Sequence, residues 1–132
     1  MNPETITLGD FVQQLLLNFR GEQLHFSDER PWQELFFEFK SAPESPGKPA
    51  FFRTLFFDWN GPYPRCQELS DFLHGLHWTG CMSASNPTYD KFTLNQEVGN
   101  LWQDVELDGA LHQFLADAAG AARNELMVGY GG

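Results

Sequence analysis

At 132 residues, with 42% hydrophobic and 15% aromatic content, the chain can bury one real core and is too rich in aromatics to be disordered. Eight basic residues against 18 acidic give a formal net charge of −10. That balance opposes nucleic acid and anionic membranes, whose affinity comes largely from lysine and arginine. It admits a basic protein partner, and it serves equally well to keep the chain in solution.

The first periodic segment is residues 8–19. Leu8, Phe11, Val12, Leu15, Leu16 and Phe19 recur at spacings of three and four, which predicts one buried helical stripe. Thr7 is placed to cap it, with Asp10 completing a variant of the capping box, and Gly21 to end it. Leu24-His25-Phe26 can be extended. Ser27 is the next cap candidate, and Asp28 and Glu29 suit the positive end of a helix dipole. Trp32, Leu35, Phe36 and Phe39 then predict a second stripe.

Residues 41–50 hold three prolines and a glycine, which predicts a mobile loop too short to divide the chain. Phe51 to Trp59 reads as a buried strand ending in the turn chemistry of Asp58-Trp59-Asn60-Gly61. A third helix follows Pro64, with Cys66, Leu69, Phe72, Leu73 and Leu76 inward and Gly80 closing it. Cys81 to Ser85 and Tyr89 to Leu94 are short extended runs, with Asn86-Pro87-Thr88 suited to a hairpin loop. Asn95 can cap a helix carrying Val98, Leu101, Trp102 and Val105. Asp108 can cap a last one with Leu111, Phe114, Leu115, Ala118, Ala122 and Leu126 inward.

The expected class is therefore α+β: one domain over residues 1–132, four or five helices around a small antiparallel sheet. The order helix-then-hairpin in residues 64–94 resembles the core of a winged-helix domain. That resemblance implies a recognition helix at Gln67 to Leu76 and a β-wing at Cys81 to Leu94. A DNA-reading helix offers arginine, lysine, asparagine or glutamine to bases and phosphates. Here the exposed face offers Arg65, Gln67, Glu68, Ser70, Asp71 and His74, and the hairpin offers only Lys91 beside Asp90.

His74 and His77 stand three apart on the third helix, with Cys66 and Cys81 flanking them. A two-Cys two-His zinc site fails on distance, because Cys66 and His77 would lie about 16 Å apart along the axis. The same distance opposes a Cys66–Cys81 disulfide. A smaller site of His74, His77 and Cys81 is the residual metal reading. Cys66 near a helix start could be a reactive thiol, but its spacing to Leu69 and Leu73 places it inward, the commoner role of a free cysteine. The carboxylate pairs Glu34/Glu38 and Asp104/Glu106 read as solvated faces. No phosphate loop, nucleophile elbow or zinc-protease motif occurs. The terminal Gly131-Gly132 follows an Ala-rich helix rather than the last strand of a ubiquitin-like modifier, so it reads as a frayed end. No cofactor, metal or catalytic residue is expected.

No run reaches the roughly 18 apolar residues of a membrane span. The start, Met1 to Thr5, lacks the basic and apolar regions of a signal peptide. Pro87 removes Asn86-Pro87-Thr88 as a glycosylation acceptor, and two cysteines make no disulfide framework. The expected compartment is the cytoplasm. Asp58 to Arg65 stands out as a surface, because Trp, Tyr and Arg concentrate at interface hot spots. The expected partner-binding residues are Trp59, Tyr63, Arg65, Glu68, Asp71 and His74. The function expected is that of a non-enzymatic acidic protein-interaction module, an adaptor, regulator or inhibitor of a partner that can be basic. The alternative is a winged-helix transcription regulator. Self-association is compatible with either.

Overall fold

The computed structural model describes residues 2–19, 24–25, 29–78, 82–84, 91–94 and 106–126. Helix α1 spans Leu8–Leu17. Its start is the reciprocal capping box expected: the Asp10 amide donates to Thr7 Oγ1 at 3.1 Å, and the Thr7 amide donates to Asp10 Oδ2 at 3.2 Å. Its end comes at Asn18, earlier than the Gly21 expected. There the Asn18 side-chain amide donates to the Gln14 and Leu15 carbonyls and takes up two of the orphaned acceptors.

Helix α2 spans Arg30–Ser41, with Glu29 at its N-cap and Pro31 in its first turn, where a missing N–H costs nothing. The expected Ser27 cap lies outside the described residues. Trp32, Leu35, Phe36 and Phe39 are buried as their spacing predicts. The C-terminus of α2 is closed by a lysine from outside the helix. Lys48, 5% exposed, donates its ammonium to the Lys40 and Ala42 carbonyls, where a cation also meets the negative end of the dipole.

The strand expected over residues 51–59 is not there. Ala50–Arg53 is instead a single 3-10 turn, followed by irregular chain that makes one isolated antiparallel bridge, Asp58 with Arg65. The reason lies in Phe51 and Phe52. Their rings stand 4.4 Å apart and both pack on Phe11. A strand would send two consecutive side chains to opposite faces, so the 3-10 turn wins by putting both rings into one core.

Helix α3 spans Gln67–Trp78 and helix α4 spans Gly109–Leu126. Leu69 and Leu73 of α3, and Leu111, Leu115, Ala118 and Ala122 of α4, are buried. Short antiparallel pairings join β1 (Leu24–His25) to β3 (Lys91–Leu94) and β3 to β2 (Met82–Ala84), the longer of them three residue pairs deep. The expected hairpin loop at 86–88 and the helix after Asn95 lie outside the described residues.

These pairings do not amount to the antiparallel sheet that an α+β domain is built around. The described residues are mostly helical, and their buried core comes from helices, the 3-10 turn and loops. The α+β class expected from the sequence is therefore corrected to a mostly helical one. The sequence reading took Phe51 to Trp59 as a strand buried in a sheet centre or covered by helices, and the segment opens with a 3-10 turn instead.

The loop 41–50 is drawn against the helices through Gly47, Lys48 and Pro49, all buried. The Ala50 amide reaches back to the Pro3 carbonyl at 2.8 Å. At Gly47 a Cβ would stand 2.1 Å from the Ala110 carbonyl oxygen of α4. Gly47→Ala must therefore push the loop off α4, at a cost of about 3 kcal/mol. Gly61→Ala, whose Cβ would meet nothing within 4 Å, should stay within about 0.5 kcal/mol. Urea denaturation of the two variants checks the contrast.

On the outer side of the same loop, Arg53 Nε donates to Glu44 Oε1 at 3.1 Å. That hydrogen bond holds the Glu44 carboxyl below its ordinary value and raises the arginine. A depressed carboxyl stabilises the fold above its unfolded pKa, and the gain disappears as pH falls through the folded value. Both groups are fully exposed, so the effect should be small and salt-sensitive. An NMR titration should find the Glu44 midpoint low, and Arg53→Gln should move it up.

Candidate interaction surface

The start of α3 is locked to the first turn of α2 by a side chain that reads backbone. Gln33, fully buried, accepts from the Cys66 amide at 2.8 Å and donates to the Cys66 carbonyl at 3.1 Å. Cys66 itself is 1% exposed, the buried small residue its spacing predicted. Beside this pair Glu29 collects four groups. Arg65 Nε donates to it at 3.0 Å, Ser70 Oγ at 2.9 Å and Gln33 Nε2 at 3.4 Å, and His74 Nε2 lies 3.8 Å away. The Arg65 guanidinium also donates to Gln67 Oε1 at 2.7 Å and Ser70 Oγ at 3.0 Å. Gln67 passes the chain on to Asp71 at 2.7 Å.

The loop between Asp58 and Arg65 is closed by the two backbone bonds of its bridge, 2.8 and 2.9 Å. Asp58 Oδ1 accepts from the Asn60 amide and stiffens the turn. Inside lies an open depression of about 320 Å³ lined by Asp58, Asn60, Gly61, Pro62, Tyr63 and Arg65. Tyr63 is half-buried beneath the Arg30 guanidinium, 5.6 Å from its ring centre. Trp59 is 62% exposed and sets its ring edge-on to Phe37 at 5.2 Å. Phe37 in turn meets Phe57 at 5.4 Å.

Among the six residues singled out from the sequence, Arg65 and His74 converge directly on Glu29, and Asp71 joins them through Gln67. Trp59 stands apart on the Phe37 side, and Glu68 is exposed. Arg65 is held by the protein itself as much as it is offered to a partner. Three residues of this surface escaped the sequence reading. Glu29 reads as an ordinary helix-start charge and Ser70 as part of an exposed face, while Gln33 draws no reading of its own. Their partners lie 33 to 41 residues away, so no local spacing signals them. Phe56, 75% exposed, was hidden by the expectation of a buried strand.

Charge is distributed unevenly between use and display. Six basic side chains are engaged within the molecule. Arg30, Arg53 and Arg65 pair with Glu34, Glu44 and Glu29. Lys40 and Lys48 bond backbone carbonyls, and Arg123 lies over the Phe19 ring. Glu38 and Glu68 are exposed and have no cation beside them.

Among the described residues no three His, Cys, Asp or Glu side chains are grouped to hold a metal ion, and no helix is long and apolar enough to cross a membrane. Cys81 and the His77 side chain of the residual metal reading lie outside them. In comparisons with known proteins, no family model, no curated protein and no solved structure matches the chain.

The buried Gln33 clamp sets the geometry of the whole surface. Gln33→Ala leaves the Cys66 amide without its partner and opens a cavity, and should cost about 2–4 kcal/mol. Arg65→Ala removes a half-exposed ion pair and should cost about 1 kcal/mol, less at high salt. Urea midpoints at two salt concentrations separate the two effects.

Proposed function

We propose that this domain is a non-enzymatic protein-interaction module whose partner presents a basic surface, with the Trp59 to Arg65 loop and the adjoining face of α3 as the working surface. The observation that carries the reading is that six described cations are already paired or bonded within the molecule, while Glu38 and Glu68 stand exposed with no cation beside them. The displayed field is then negative, and such a field steers a basic partner and repels nucleic acid. Trp59 supplies what charge cannot, a large and mostly exposed apolar side chain held in one place by Phe37. A fixed aromatic ringed by polar groups loses little entropy on binding, as hot-spot residues do. The polar groups at the start of α3 support the same reading, since Arg65, Asp71 and His74 are tied to Glu29 and Gln67 rather than gathered in an enclosed cavity.

The test begins with co-purification from native cells, followed by binding of the recovered partner at rising salt. Affinity should fall as salt rises. Trp59→Ala should weaken binding at least tenfold, about 1.4 kcal/mol, while lowering the melting temperature by only a few degrees. Equal binding by Trp59→Ala would remove the loop from the surface. Tight, steeply salt-dependent binding to random duplex DNA would favour a nucleic-acid reader and overturn the reading.

A further inference from the structure

Asp58 lines the depression of the loop with an unneutralised charge. The two backbone bonds of its bridge to Arg65, 2.8 and 2.9 Å, make this the hydrogen-bonded kind of antiparallel pair, in which facing side chains leave the chain on the same side. Yet the arginine opposite does not pair with the carboxylate. All three guanidinium nitrogens of Arg65 are committed to Glu29, Gln67 and Ser70. Arg30, which lies over the Tyr63 ring, pairs with Glu34. Among the described residues Asp58 has no ion pair: its Oδ1 accepts from the Asn60 amide at 2.8 Å, and nothing bonds Oδ2. The Asn60 side chain and the Tyr63 hydroxyl line the same depression and have no hydrogen-bond partner among the described residues either. With Arg65 balanced by Glu29 and Arg30 by Glu34, the charge left over beside the depression is that of Asp58.

Size and bonding select the ligand. A volume of about 320 Å³ stands at the small end of ligand pockets, which begin at about 300 Å³, and suits one side chain. A guanidinium grips a carboxylate best as a fork on both oxygens, and the Asn60 amide already holds one of them. An ammonium is a point charge with three donors. It needs only Oδ2, with the Tyr63 hydroxyl and the Asn60 carbonyl oxygen as further acceptors, while Pro62 and the Tyr63 ring give an aliphatic stem an apolar wall. We propose that this depression takes one lysine side chain of the partner protein, its ammonium on Asp58. This deepens the reading under Proposed function and rests on it for the partner's being a basic protein.

The probes are Nα-acetyl-lysine amide, the same molecule acetylated at its ε-nitrogen, and Nα-acetyl-arginine amide. Each is titrated into the full chain at low salt while NMR follows the Asn60 and Gly61 amides. The lysine probe should shift both amides saturably. It should bind at least fivefold more tightly than the arginine probe and at least tenfold more tightly than the uncharged one. Asp58→Asn keeps an oxygen to accept from the Asn60 amide and removes the charge. It should hold its melting temperature within a few degrees yet bind the lysine probe at least tenfold more weakly. Asp117→Asn, which removes an exposed carboxylate of α4, should leave that affinity within twofold and so excludes a general effect of net charge. Equal binding of the lysine and arginine probes, or of the charged and uncharged ones, overturns the assignment. Undiminished binding by Asp58→Asn, or the absence of any saturable shift, overturns it as well. Where Asp58→Asn does not fold, the three probes on the unaltered protein decide. Each of these failures leaves the function reading standing, since that fails separately, on co-purification and duplex binding.

Discussion

The Phe11 ring is the contact on which the rest of the fold depends. It lies within 5.5 to 6.2 Å of Phe36, Phe39, Phe51, Phe52 and Phe114, and so touches α2, the 3-10 turn and α4 from a single position on α1. Four of the five contacts are edge-on, with interplanar angles from 65 to 85°. That geometry sets the positive edge of one ring against the negative face of the next, worth about 0.5–1.5 kcal/mol per pair beyond burial. Flat, stiff rings joined in this way fix both distance and angle between elements, which a cluster of leucines would leave looser. The Phe-rich composition is thus spent on orientation as well as on burial.

Much of this architecture was legible because it is periodic. The stripes of α1 and α2, and the buried positions of α4, follow from apolar spacing, and the capping box at Thr7 from residues three apart. What failed was the segment from Phe51 to Trp59. Its composition favours a strand, but a run of phenylalanines also suits a turn that gathers rings into one core, and tertiary contact with Phe11 decides between them. A local reading has no access to that contact.

The candidate surface was legible in part for a related reason. Trp59, Tyr63 and Arg65 lie close in sequence, and their residue types draw attention by themselves. Glu29, Gln33 and Ser70 join them only because α2 and α3 start side by side. The network they form changes the meaning of Arg65. A guanidinium shared among a carboxylate, an amide and a hydroxyl fixes the entry to α3 and leaves one edge of itself outward, so scaffold and surface share a residue. The other described cations also act as fasteners, Arg30 and Arg53 in pairs at the surface and Lys40 and Lys48 on backbone carbonyls.

Lys48 is the buried one among these cations. Its amine is buried against the last carbonyls of α2. An amine so placed reacts with an acylating reagent only when the loop lifts away from α2, because the nucleophile must first reach solvent. The rate at which Lys48 is acylated, set against an exposed amine in the same molecule, therefore counts openings of the segment 41–50. Once acylated, the side chain loses its charge and can no longer close the helix end. Each opening that is caught would then be kept open, turning a fluctuation into a lasting change of shape.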